Sequence, residues 1–309
     1  MRKGLRIAPL ILLGIVLVGL ALYCVWPHER SYQGRPLSQW LEEYRQVLNN
    51  TNREQQRKDQ ERFAAVDPAI VPDLVKVLER TPSRNFEGKL GNHLLQFSAT
   101  RRIGSWLSYR MTEAQNRRLL ANYLLGLLGP KAEPAIPAML RMYQNTNDPE
   151  WVRSSIPWSL ARINRRPDLV VPVLAESLSD LPLTQTAAYA LGEYGTNSIS
   201  AIPALRKALH HPDMVSALAS AQTIHMIDPK ASLAAEDELM PLLIKALESK
   251  VRVHWMFAIP LLAQYANHAK VAVPTLLRLL DDEDAHIRFL VTNSLPRIDP
   301  EAAAKAGVQ

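Results

Sequence analysis

Large apolar residues return along this chain at helical intervals, punctuated by prolines. With Pro72, Pro137, Pro172, Pro203, Pro241 and Pro274 in register, the residue before each is Val71, Ile136, Val171, Ile202, Met240 or Val273. Two after each stand Leu74, Met139, Leu174, Leu205, Leu243 and Leu276; six after stand Leu78, Tyr143, Leu178, Leu209, Leu247 and Leu280. These offsets, i, i+3 and i+7, mark one stripe of an α-helix. A proline in a helix's first turn loses no bond, because the first four N–H groups lack intrahelical acceptors, and its fixed φ is already helical. Each proline is therefore predicted to start a helix, which it would break if placed deeper. The segments DPEWVRSSIPWSLARI, TQTAAYALGEYG, PDMVSALASAQTIHMI, RVHWMFAIPLLAQYA and DAHIRFLVTNSLPRI are predicted as the partner helices, with Asp148, Asp213 and Asp284 as N-terminal caps and Gly129 and Gly195 as left-handed C-terminal caps.

Successive prolines are 65, 35, 31, 38 and 33 residues apart, so one degenerate unit is expected between Pro72 and Pro137. Neither helix of a unit can bury its stripe alone, whereas stacked units share a continuous core. The expected fold is all-α: an α-solenoid of stacked antiparallel helix pairs. Only 6% of residues are aromatic, and no alternating β-branched runs bounded by Asn-Gly or Asp-Gly compete with that reading. The phrases LGLLGPKAEPAIPAML and LGEYGTNSISAIPALRKALHHPD, with the turns NDPEWVR and DDEDAHIR, resemble HEAT and HEAT-like repeats over residues 112–299, and more weakly over 53–82. The resemblance implies an acid-turn-arginine link between turns, here Asp148 with Arg153 and Asp282 or Asp284 with Arg288. It implies little about function, because this scaffold serves many.

Ahead of the repeats, residues 7–26 carry no charge and are long enough, at about 1.5 Å per residue, to span a hydrocarbon core of about 30 Å. Residues 1–30 are expected to be an N-terminal membrane anchor with one transmembrane helix. The rival is a cleaved or lipidated signal, but its apolar part would run about 7–15 residues and end in small side chains, whereas this run ends Tyr-Cys-Val-Trp-Pro. Arg2, Lys3 and Arg6 before the run place the N-terminus on the cytoplasmic side by the positive-inside rule, and the solenoid on the other. YQGRPLSQWLEEYRQVL is expected to form a capping helix within residues 31–52, burying Leu37, Trp40, Leu41, Tyr44 and Leu48, and loosely resembles the opening of bacterial membrane-anchored HEAT-repeat proteins of unassigned role. Residues 53–309 form the expected solenoid, with an irregular insert at about 81–111.

No nucleophile elbow, zinc-protease helix, phosphate-binding glycine loop or calcium loop occurs, and the single Cys24 excludes an intrachain disulfide. No cofactor, metal or catalytic residue is assigned. His210 and His211 with Asp213 read as a solvated turn, and Asp281, Asp282, Glu283 and Asp284 as capping and turn residues. Arg101, Arg102, Trp106, Tyr109, Arg110, Arg117 and Arg118 combine basic and aromatic groups, but Trp106 lies three residues from Ile103 and belongs to its helical stripe.

The net charge of +6 is unevenly spread: residues 84–166 hold 13 Lys and Arg against 5 Asp and Glu, and residues 167–309 hold 11 against 16. Four residues after the repeat prolines stand Lys76, Arg141, Glu176, Lys207, Lys245 and Arg278, a row left to solvent by the apolar stripe. The resemblance implies that second helices line the inner surface, where Lys76, Arg141, Lys207, Lys245 and Arg278 would face an acidic partner. The leading expectation is a membrane-anchored, non-catalytic scaffold that binds a protein or peptide in the solenoid groove, not an enzyme. The alternative is an enzyme or chaperone-like modifier similar to the HEAT-like phycobilin lyases. A nucleic-acid binder similar to the HEAT-like DNA glycosylases is disfavoured by the acidic rear half, and no small-molecule substrate is evident.

Overall fold

The turn leading into each repeat proline decides how its helix begins. The computed structural model describes residues 30–80 and 101–308. A small antiparallel ladder, β1 (Ser31–Tyr32) with β2 (Arg35–Pro36), opens directly into α1 (Leu37–Leu48), followed by α2 (Arg53–Ala64) and α3 (Val71–Glu79). Then come α4 (Arg101–Leu128), α5 (Ile136–Gln144), the single turn α6 (Glu150–Arg153), α7 (Ile156–Ile163), α8 (Pro167–Ser177), α9 (Thr184–Glu193) and α10 (Ile202–Ala208). The rear half holds α11 (Met214–Ile227), the short α12 (Pro229–Ala234), α13 (Glu236–Glu248), α14 (Arg252–Leu262), α15 (Val273–Leu279), α16 (Ala285–Ile298) and α17 (Pro300–Lys305).

First helices α4, α7, α9, α11, α14 and α16 pack each on the next, and α3, α5, α8 and α10 form a second layer against them. The core lies between the layers. Leu74, Met139, Leu174, Leu205, Leu243 and Leu276, the middle row of the predicted stripe, are all completely buried. Each contributes about 1.5–3 kcal/mol by leaving water, and together they bind the layers along the length of the stack.

Four of the six prolines stand where expected. Pro72, Pro137, Pro203 and Pro274 occupy the first turns of α3, α5, α10 and α15, each after a 3-10 segment: Pro68–Ile70, Gly129–Ala135, Gly195–Ala201 and Ala266–Ala272. Pro172 and Pro241 instead lie inside α8 and α13, which begin five residues earlier at Pro167 and Glu236. Pro167 is itself a first-turn proline, and Glu236, Asp237 and Glu238 complement the helix dipole, so these lead-ins hold an α-helical turn.

Gly129 and Gly195 adopt φ of 57° and 55°. Asn164 and Ala266, both at φ 45°, take the same left-handed conformation in the same register, eight residues before Pro172 and Pro274. The turn between the two helices of a unit thus keeps its shape where the sequence has no glycine.

Other expectations are corrected. The capping helix buries Val47, while Leu48 is 40% exposed; Trp40 and Tyr44 meet Phe63 edge-on at ring separations of 5.7 and 5.0 Å, fixing α1 on α2. Asp148 does not cap α6, which begins behind Pro149 without a side-chain bond, because its carboxylate is committed elsewhere. The transmembrane helix expected over 7–26 lies outside the described residues, and among the described residues no helix is long and apolar enough to cross a membrane. The fold shown by the described residues is an all-α solenoid, and the single-pass location and orientation inferred from the expected helix are set aside.

Candidate partner-binding surface

A helix leaves its last four carbonyls without intrahelical donors. Here a side chain from the following first helix meets the second-helix end in four units. Arg118 Nε donates to the Leu78 carbonyl at 2.8 Å, Arg153 Nε to Tyr143 at 2.8 Å, the Thr184 hydroxyl to Leu178 at 3.1 Å and the Trp255 indole N–H to Leu247 at 2.9 Å. Each donor stands 19 residues before a repeat proline, and each acceptor six after the preceding one.

The two arginines also reach forward. Arg118 binds Asp148 through both terminal nitrogens at 2.5 and 2.8 Å, and Arg153 reaches Asp180 at 3.2 Å. The expected pairing of Asp148 with Arg153 is therefore replaced by a link from each arginine to the acidic turn one unit on. Arg118 and Asp148 are both buried, and Asn145 donates a further bond to that carboxylate at 3.1 Å. Arg288 binds the carbonyls of Asp282 and Glu283 at 2.6 and 3.0 Å instead of a carboxylate.

On the second-helix face Lys76, Arg141, Lys207, Lys245 and Arg278 are all exposed, as is Glu176, which interrupts them. The structure divides the row. Lys76 lies 2.7 Å from Asp73, Arg141 pairs with Glu79, and Arg278 bonds the Thr275 hydroxyl at 3.1 Å. Lys207 and Lys245 have no carboxylate partner among the described residues. Beside Arg141 an open recess of about 290 Å³ is lined by Leu78, Glu79, Arg118, Ala138, Met142 and Asn145.

The first-helix face carries a feature that the sequence reading passed over. Tyr123, Trp158 and Tyr189 each stand 14 residues before a repeat proline, on the consecutively packed α4, α7 and α9. Trp158 is 45% and Tyr189 42% exposed, with Tyr123 half-buried. The Arg162 guanidinium lies 5.1 Å from the Trp158 ring centre and forms no ion pair among the described residues. Burial raises the pKa of the Tyr189 phenol above its ordinary value, and the negative charge of the nearby Glu193 carboxylate adds to the rise. The signal was the same proline register that revealed the basic row, applied to ring-bearing positions.

The remaining candidates are structural. His211 Nδ1 accepts from the Asp213 N–H at 3.1 Å, and the Asp213 carboxylate caps α11 by accepting from the Ser216 N–H at 2.9 Å and its hydroxyl at 2.7 Å. Asp284 caps α16 through the His286 N–H at 2.8 Å, and Glu283 pairs with Arg252. Arg117 and Tyr109 are exposed; the side chains of Arg101, Arg102, Trp106 and Arg110 lie outside the described residues.

No family model matches the chain, and no curated protein does. Among solved structures it is similar to the complex of CpcE and CpcF of phycocyanin lyase from Nostoc sp. PCC7120, at 18% identity over 74% of this chain and 96% of that chain, with a TM-score of 0.38. A likeness at this level transfers no reaction, substrate or partner. No membrane-crossing helix stands among the described residues. The expectations of a membrane-anchored, non-catalytic scaffold and of a chain that is no enzyme are withdrawn.

Proposed function

We propose that this chain is a chaperone-like modifier, which works by holding a client protein against its helical-repeat surface. The observation that carries the proposal is the row of exposed cations recurring once per unit on the second-helix face: Lys76, Arg141, Lys207, Lys245 and Arg278. The row favours an acidic client surface, since like charge laid along it would be repelled. Lys207 and Lys245, with no carboxylate partner among the described residues, offer the most to a client. Lys76 and Arg141 must first exchange Asp73 and Glu79, which reduces what they contribute and makes them selective for a well-placed acid.

The test is charge reversal. A Lys207→Glu, Lys245→Glu double variant is expected to lower client recovery after crosslinking by about tenfold relative to wild type, since rim charges act mainly on encounter. Its helical circular dichroism and melting temperature should stay unchanged, because both side chains are solvated. Equal recovery from variant and wild type would overturn the proposal.

A further inference from the structure

The neighbouring first helices α7, α9 and α11 pack in sequence, and across all of them the only Lys, Arg, Asp or Glu residues are Arg162 and Glu193. Their exposed positions are otherwise Trp158, Gln185, Tyr189, Gln222 and Met226. A helix that stays in water ordinarily carries charges along its outer face. A face so poor in charge, with Trp, Tyr, Met and one Arg, has instead the composition of an interface core. Gly192 joins α9 to α11 in this face: a Cβ there would lie 3.2 Å from the Met226 sulfur, so the missing side chain lets Met226 lie against α9.

The two charges occupy equivalent places. Arg162 and Glu193 each stand two residues before the left-handed residue that ends the helix, Asn164 or Gly195, and four after an exposed ring, Trp158 or Tyr189. They therefore lie at one height on adjacent helices with opposite sign. Neither forms an ion pair among the described residues. Arg162 leans toward α4, with its guanidinium 5.1 Å from the Trp158 ring centre and its Nε 3.4 Å from the Gly126 carbonyl. A polyanion drawn to Arg162 would be repelled by Glu193, and a polycation the reverse. The patch calls for a partner that carries both signs in the opposite order.

A second copy of the same patch meets that demand. In a two-fold contact, residue i of one copy meets j of the other while j meets i. With the axis parallel to the helices and between α7 and α9, each α7 lies over the other copy's α9, so unlike charges meet at both places and Trp158 is set toward Tyr189. An axis moved onto α7 or α9 would oppose Arg162 to Arg162 or Glu193 to Glu193, and that repulsion fixes the register. We propose that the chain forms a two-fold homodimer through the outer face of α7, α9 and α11, with Arg162 of each copy paired to Glu193 of the other. The cationic row lies on the second helices, so the proposal does not rest on the client-holding function.

Sedimentation equilibrium of the full chain tests it. Wild type should pass from one chain to two as concentration rises. Arg162→Glu and Glu193→Arg each set like charges together and should weaken the dimer about tenfold or more, as should Trp158→Ala by removing an anchoring ring. Two rescues are specific to the two-fold pairing. The Arg162→Glu, Glu193→Arg double variant should dimerise as wild type does, and an equimolar mixture of the two single charge variants should form heterodimers, since every opposed pair is again unlike. Far-ultraviolet circular dichroism of the variants should match wild type. The proposal is overturned if wild type stays a single chain at every concentration, if the single variants associate as wild type does, or if either rescue fails.

Discussion

Ala266 holds a backbone conformation that an L-residue with a Cβ adopts at a cost of about 1–2 kcal/mol. Glycine would remove that cost while adding disorder to the unfolded chain, so Ala266→Gly is expected to stabilise by about 0.5 kcal/mol, read as a higher urea midpoint. Gly195→Ala should do the reverse by about 1 kcal/mol; no atom beyond its own neighbours lies within 4 Å of the new Cβ, so the cost is backbone strain alone. Arg118 poses a different problem. Replacing it with Leu strands the buried Asp148 carboxylate and should cost about 3–5 kcal/mol, whereas adding Asp148→Asn should recover part of the loss in a double-mutant cycle. Two carboxylates make stability depend on pH. The Lys76 ammonium, then the Tyr32 hydroxyl, hold Asp73 below its ordinary value. Burial alone would raise Asp213, but the Ser216 bonds outweigh it and its pKa is also lowered. The unfolded chain therefore binds protons more readily, and this stabilisation is full above the ordinary carboxylate pKa of 3.8 and fades as pH falls through the depressed values. Between about pH 5 and pH 3 the melting temperature of Asp213→Asn should fall less steeply than that of wild type, because one titrating cap is gone.

At the level of the helices, the two interior prolines make opposite demands from the four first-turn ones. Pro172 stands at the sixth residue of α8, where the missing N–H would otherwise reach the Asp168 carbonyl. Pro172→Ala is expected to raise the melting temperature, by up to about 3 kcal/mol of added stability. Pro203→Ala, in the first turn of α10, should change it little or lower it slightly through unfolded-chain entropy. The difference was hard to read ahead of the structure because the apolar stripe around Pro172 keeps the same spacing as that around Pro203. What separates them is the lead-in, where Pro167 nucleates an α-turn and Gly195 opens a 3-10 segment. The apolar stripe was legible because burial acts on every unit alike, and the partner of Asp148 was not, because Arg118 lies 30 residues upstream and only the stacking brings them together.

Across the whole molecule, the repeat explains what could be read of its surfaces. The cationic row was visible because solvent-facing positions keep their register, whereas the exposed Trp158 and Tyr189 were not singled out, because ring-bearing residues are usually well buried. Exposure of those rings follows from the handedness and packing of neighbouring helices, which no one-dimensional pattern contains. The side-chain links between turns carry a further consequence. Arg118 and Arg153 tie one turn to the next with ionic bonds, whereas Thr184 offers a hydroxyl, bonded to carbonyls alone apart from a 3.5 Å contact with His211. Treated as a spring, the stack is softest at the turn that Thr184 joins, since Arg252 and Glu283 restore an ionic link between turns further on. Stretched from its ends, it should open first at that turn, leaving the Arg-linked turns on either side of it wound after it has begun to extend.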